Sequence, residues 1–120
     1  MEKTTAITVL ESLASGVRLD VFRLLVRQGP AGLVAGEIAA ALELPATNLS
    51  FHLKALTQAG LLTVAQEGRY QRYRANLALM QELIHYLTAE CCMGQPAQCA
   101  ELAAAAACTD CAVAPGVSDY

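Results

Sequence analysis

The sequence predicts a mainly α-helical domain that carries one small β-hairpin, and three observations predict it. Of 120 residues, 23 are Ala and 18 are Leu, while aromatic residues make up 5% and Trp is absent. Ala and Leu are strong helix formers, whereas strands draw on β-branched and aromatic side chains. Apolar residues recur at helical spacing in five stretches, and only Leu61–Arg74 alternates as a half-buried strand pair would. This composition excludes a β-sandwich, a collagen and a disordered polyampholyte. The length suits one small domain and is short for a stand-alone doubly wound enzyme.

The elements follow in order. Thr4–Ala14 places Ala6, Leu10, Leu13 and Ala14 on one helical face, and Ser15-Gly16 interrupts it. A second helix, Val17–Arg27, carries Val17, Val21, Leu24 and Leu25 on one stripe with Arg18, Asp20, Arg23 and Arg27 off it. Gln28-Gly29-Pro30 stops that helix, and Gly32 extends the loop. Val34–Leu42 reads as a short third helix, ended by Glu43-Leu44-Pro45. Proline fits the first turn of the next helix, Ala46–Ala59, and Gly60 suits its C-terminal cap. Leu61–Glu67 and Tyr70–Arg74 form the hairpin around Gly68-Arg69. Asn76 is placed to cap a fifth helix, Leu77–Cys91, which Gly94 and Pro96 end. The expected organisation is a domain over 1–93 and a flexible, cysteine-containing tail over 94–120.

Three helices, a fourth entered through a tight break, and a basic hairpin make the layout of a winged helix-turn-helix. On the fourth helix Leu49, Leu53 and Leu56 share a narrow arc that must face the core. Opposite lie Thr47, Ser50, Phe51, Lys54 and Gln58, with Asn48 on the border. Hydroxyl, amide and ammonium groups on one exposed face reach base edges and phosphates. Phe51 is apolar where solvent is expected; it either touches a thymine methyl or folds against the neighbouring helix. His52, beside the leucines, reads as a hydrogen-bonded structural histidine rather than a base reader. In the hairpin Arg69 takes the tip, and Tyr70, Arg72 and Arg74 share one strand face. Such a wing lies on a phosphate backbone or enters a minor groove; taken alone, the same residues also suit a solvated edge protected by charge. Lys54 and Arg72 are expected to be exposed phosphate contacts.

Charge supports the nucleic-acid reading despite a formal net charge of −3. All eight Lys and Arg lie in residues 1–74, against six acidic residues, and residues 75–120 hold five acidic residues and no Lys or Arg. Leu44–Asn76 has Lys54, Arg69, Arg72 and Arg74 against Glu67 alone. A local basic patch matters more than the total. The longest uncharged run, Ala55–Gln66, is too short to span a bilayer. The opening residues lack the layout of a signal peptide, so a cytoplasmic protein without a membrane partner is expected.

The fifth helix carries a second message. Leu77, Met80, Ile84, Leu87 and Cys91 follow the spacing of a coiled-coil seam, widened by Leu79, Leu83 and Tyr86. Packing within the protomer is one use. A homodimer held by the first and last helices is the other, and it presents two recognition helices to a palindrome.

All five cysteines follow residue 90: Cys91, Cys92, Cys99, Cys108 and Cys111. An odd number without export signals argues for reduced thiols over a disulfide framework. Cys91 and Cys92 sit at the helix end, and the Gly94 and Pro96 turn can fold Cys99 back towards them. Three thiolates with no nearby His suit a soft ion such as trivalent arsenic or antimony. Zinc takes a fourth ligand, which Cys108 or Cys111 can supply. Cys91 as a small buried apolar residue is the plain alternative. A metalloid carrier or reductase is disfavoured, since no C-x-x-C opens a helix after a strand and no Gly-rich phosphate loop exists.

These residues resemble the ArsR/SmtB metalloregulators over about residues 8–99. Leu13–Leu19 through Phe22–Leu25 is similar to the opening helices of that family. Ala46–Leu56 with Ala59-Gly60-Leu61-Leu62 is similar to its recognition helix and first strand, and Glu67–Arg74 to its wing. The resemblance implies a dimeric repressor, not an enzyme, that leaves its operator when inducer binds. The cysteine pair that many arsenic or cadmium sensors carry before the recognition helix is missing from Glu37–Leu42. Glu82, His85 and Glu90 do not match the zinc-sensor pattern. Cys91, Cys92 and Cys99 resemble the subgroup of arsenite repressors with a cysteine trio past the last helix. That resemblance implies arsenite, with antimonite beside it, as inducer; zinc, cadmium, lead or thiol oxidation are the alternative signals.

Overall fold

The computed structural model describes Met1–Ala89 of the chain. The cysteines and the expected boundary at 93/94 lie outside the described residues. Met1–Tyr86 is one compact unit, and the chain from Leu87 onward is a second, of which Leu87–Ala89 are described.

The helices are α1 (Lys3–Leu13), α2 (Gly16–Gln28), α3 (Ala35–Leu42), α4 (Ala46–Gln58) and α5 (Leu77–Thr88), and the strands are β1 (Leu33–Val34), β2 (Leu62–Glu67) and β3 (Tyr70–Ala75). Ser15 opens α2, where its Oγ accepts from the Arg18 N–H at 3.4 Å. Glu37 opens α3 by accepting the Val34 N–H at 3.0 Å. Between α3 and α4 the chain turns through Glu43 in the left-handed region (φ 54°, ψ 50°), and Pro45 then stands extended ahead of α4. Asn76 caps α5 as its side chain allows: Oδ1 accepts the Leu79 N–H at 3.2 Å, while Nδ2 donates to the Gly60 carbonyl at 2.8 Å.

β2 and β3 form the expected hairpin, in register from Leu62 opposite Ala75 to Glu67 opposite Tyr70. The hairpin is not alone. β1 pairs with the other edge of β3, Leu33 opposite Tyr73 and Val34 opposite Arg72, so β3 is the central strand of three. Val34, read from sequence as the start of the third helix, is therefore a strand residue. Two residues are too short a run to show alternation; the edge of β3 makes them a strand. Gly32 permits the approach. Its φ is +59°, and a Cβ there would collide with the Tyr73 carbonyl oxygen and the Arg74 side chain.

The core is built from Val9, Val21, Leu25, Ile38, Leu49, Leu56 and Leu61, all fully buried, with Leu53, Leu62 and Leu83 beside them. The leucine stripe of α4 faces inward as its spacing requires. The phase of α1 differs from the sequence reading. Ala6, Val9 and Ser12 are buried, whereas Leu10 is 43% exposed and Ile7 is equally outward. The helix is apolar on two overlapping faces, and the core takes the one that includes Val9. α5 likewise packs Leu79, Met80 and Leu83 onto the core and leaves Leu77, Ile84 and Leu87 exposed. Among the described residues no helix is long and apolar enough to cross a membrane.

Candidate nucleic-acid interface

The turn at Glu43 and the buried leucines fix the roll of α4. With Leu49, Leu53 and Leu56 inward, Thr47, Asn48, Ser50, Phe51, Lys54 and Gln58 are all exposed. Lys54 makes no hydrogen bond or ion pair among the described residues, so its ammonium group is available to an anion.

Phe51 and His52 are tied to α2 by a residue that no local sequence pattern singles out. Arg18 Nε donates to His52 Nδ1 at 3.1 Å, and its guanidinium carbon lies 5.6 Å from the Phe51 ring centroid. The Phe51 and His52 rings meet edge to face, 5.6 Å apart at 70°. His52 is thus a structural, hydrogen-bonded histidine. Phe51 remains 65% exposed and does not fold into the core. Arg18 and His52 are 34 positions apart in the chain, beyond the reach of any local pattern.

The wing divides its basic residues between two jobs. Arg69 and Tyr70 stand exposed beside the Gly68 turn (φ 61°), and Arg69 has no partner among the described residues. Arg72 is half-buried and occupied. Its Nε donates to both Glu67 carboxylate oxygens, at 2.9 and 3.1 Å, and Nη1 donates to the Ala31 carbonyl at 3.1 Å. Arg74 Nε donates to the Pro30 carbonyl at 2.7 Å. These two side chains staple β3 to the loop that follows α2. The expected free exposure of Arg72 is corrected accordingly: the sheet folds Ala31 and Glu67 within reach of it.

Between α4 and the sheet runs a groove of about 370 Å³, lined in part by Ser50, Lys54, Gln58, Val64, Gln71 and Tyr73. The Tyr73 hydroxyl donates to Gln71 Oε1 at 3.0 Å, and burial pushes its pKa above the usual phenol value. Together, α4, the groove and the wing tip offer hydroxyls, an amide, an ammonium and a guanidinium beside an exposed ring. That inventory matches base edges and phosphates. Among the described residues no three His, Cys, Asp or Glu side chains converge as metal ligands would. Glu82 and His85 are exposed on α5, and Glu90, Cys91, Cys92, Cys99, Cys108 and Cys111 lie outside the described residues.

Comparison with known proteins gives the same architecture. Residues 13–65 match a helix-turn-helix domain family. HlyU from Vibrio cholerae N16961 is 32% identical, with 72% of this chain and 97% of that one covered at a TM-score of 0.58. An ArsR-like transcriptional regulator from Rhodococcus sp. RHA1 is 27% identical, over 70% of this chain and 76% of that one, at a TM-score of 0.63. The homodimeric winged helix-turn-helix DNA-binding domain of a candidate ArsR-family regulator from Mycobacterium bovis is 29% identical, over 72% and 81%, at 0.58. No curated protein sequence matches the chain.

Proposed function

This chain belongs to the ArsR-like family of helix-turn-helix transcriptional regulators, and from that premise we propose that it is a cytoplasmic, homodimeric repressor that releases operator DNA when Cys91, Cys92 and Cys99 bind trivalent arsenic. Proteins of this family are DNA-binding regulators rather than enzymes. The observation that carries the DNA-binding part is the outward face of α4, with Thr47, Asn48, Ser50, Phe51 and the unpartnered Lys54 beside a wing whose tip offers Arg69 and Tyr70. Arg72 supports the wing through its bonds to Glu67 and the Ala31 carbonyl.

Homodimerisation is supported by the apolar residues that α1 and α5 leave in solvent: Ile7, Leu10, Leu77, Ile84 and Leu87. The mycobacterial relative is homodimeric. A two-fold dimer presents two recognition helices to half-sites one helical turn apart. A charge forced into that seam meets a desolvation penalty of several kcal/mol. Leu87→Glu should therefore yield monomer by sedimentation and lose operator binding; an intact dimer rejects the seam.

The inducer rests on the thiols. Three thiolates suit trivalent arsenic, and antimonite shares that chemistry. Cys91 follows α5 by three residues, so tying it to Cys92 and Cys99 constrains the end of the dimer helix and alters the spacing of the recognition helices. Coupling of about 1–3 kcal/mol is enough to shift operator occupancy. The test is a gel shift with the DNA upstream of the gene, under reducing conditions, titrated with arsenite, antimonite and zinc. Arsenite should release the wild type, while the Cys91→Ser, Cys92→Ser, Cys99→Ser triple variant stays bound. Release of the triple variant at wild-type concentrations removes the thiols as sensor. Release by zinc, cadmium, lead or an oxidant but not by arsenite transfers the role to that signal, and dependence on Cys108 or Cys111 would mark a four-thiolate site.

A further inference from the structure

We propose that Phe51 reads a thymine methyl group in each operator half-site, and that Arg18 and His52 are the positioning residues that hold its ring for that contact. This rests on the operator-binding reading above. Phe51 is 65% exposed on the polar face of α4 and contributes nothing to the buried core. One exposed ring is ordinary on a protein surface; this one stands out by its place on the polar face of α4 and by its neighbours. Its orientation is fixed by neighbours. The Arg18 guanidinium stands 5.6 Å from its centroid, and the His52 ring meets it edge to face. Arg18 and His52 are themselves locked by the 3.1 Å bond from Nε to Nδ1, which leaves the His52 ring proton on Nε2.

The chemistry selects the base. A phenyl ring has no donor or acceptor, so it cannot use the hydrogen-bonding edges of the major groove. Thymine alone presents a methyl group there. Phe51 lies in the second turn of α4, next to the N-terminal part of a recognition helix that contacts base edges. Thr47, Asn48 and Ser50 supply polar contacts to neighbouring positions, and Lys54 supplies a charge that is indifferent to sequence. Phe51 is thus a specificity-determining member of this face, and the link to α2 makes the reading a property of two helices.

The experiment selects an operator from random duplex DNA with the full-length protein and then replaces each thymine of the selected site by uracil, which lacks only the methyl group. The wild type should lose about four-fold in affinity at one thymine per half-site and about sixteen-fold with both replaced, the fold-change of about 0.8 kcal/mol per methyl group at 1.4 kcal/mol per decade. Phe51→Ala, at an exposed position, should bind thymine and uracil sites equally. Arg18→Lys keeps the positive charge and should also lower the thymine-to-uracil ratio. Lys54→Ala should weaken both sites alike and leave the ratio unchanged. A selected motif with no uracil-sensitive thymine, or a Phe51→Ala protein that keeps the ratio, overturns the proposal while operator binding stands. An unchanged ratio in Arg18→Lys removes Arg18 as a positioning residue. Selection of no motif at all defeats the operator-binding reading itself.

Discussion

Lys54 on α4 and Arg72 on β3 carry the same charge, and both read from sequence as exposed phosphate contacts, yet the fold uses them differently. Lys54 projects from a helix whose opposite side is anchored by Leu49, Leu53 and Leu56, and it meets nothing among the described residues. Arg72 stands on the central strand of the sheet, where Glu67 and the Ala31 carbonyl lie within hydrogen-bonding distance. A cation on the outer face of a helix is left to solvent, whereas a cation on a central strand has chain on both sides to bind. α4 therefore leaves its cation free for a partner. The wing is a braced arm whose two inner arginines hold it to the loop after α2, while Arg69 and Tyr70 are left free at the tip.

The brace gives the largest expected effect. Gly32→Ala places a Cβ against the Tyr73 carbonyl and the Arg74 side chain at a positive φ, and should cost about 2–4 kcal/mol in stability. Denaturant melts measure this, and the comparison sharpens if the residual folded protein binds DNA weakly through a displaced wing. A wild-type midpoint would mean that the loop and β3 are not pressed together. Asn76→Ala comes next. It removes the cap on Leu79 and the bond to the Gly60 carbonyl that joins the end of α4 to the start of α5, and should cost about 1–2 kcal/mol. Unchanged thermal stability would contradict the linkage. The smallest effect belongs to the turn ahead of α4. Glu43→Gly relieves a left-handed residue at φ 54°, offset in part by the freer unfolded chain, and should raise stability by about 0.5 kcal/mol. A loss of stability would place a needed side-chain contact at Glu43.

The recognition helix was legible because its signals are local. The leucine spacing, Pro45 before it and Gly60 after it lie within sixteen residues of one another, and periodicity reports burial directly. Asn76 and the Gly68 turn were legible for the same reason. Other features depend on segments that meet only after folding. β1 exists because Gly32 lets two residues reach the edge of β3. The partners of Arg72 and Arg74 are backbone carbonyls 41 and 44 positions away, which no side-chain pattern announces. Arg18 looked like an ordinary residue off the apolar stripe until α2 and α4 packed together. In α1 the apolar residues allow two phases, and only the shape of the core selects Val9 over Leu10.

The most direct test of this division of labour is the salt dependence of operator affinity for the wild type, Lys54→Ala and Arg72→Ala, with thermal stability measured alongside. Loss of a phosphate contact lowers the slope of log affinity against log salt by about one per contact. Lys54→Ala should lower the slope by about one per protomer and leave the melting temperature unchanged. Arg72→Ala should keep the slope and lower the melting temperature, because it removes the bonds to Glu67 and Ala31. The reverse pattern, a shallower slope for Arg72→Ala with wild-type stability and an unchanged slope for Lys54→Ala, would contradict the account.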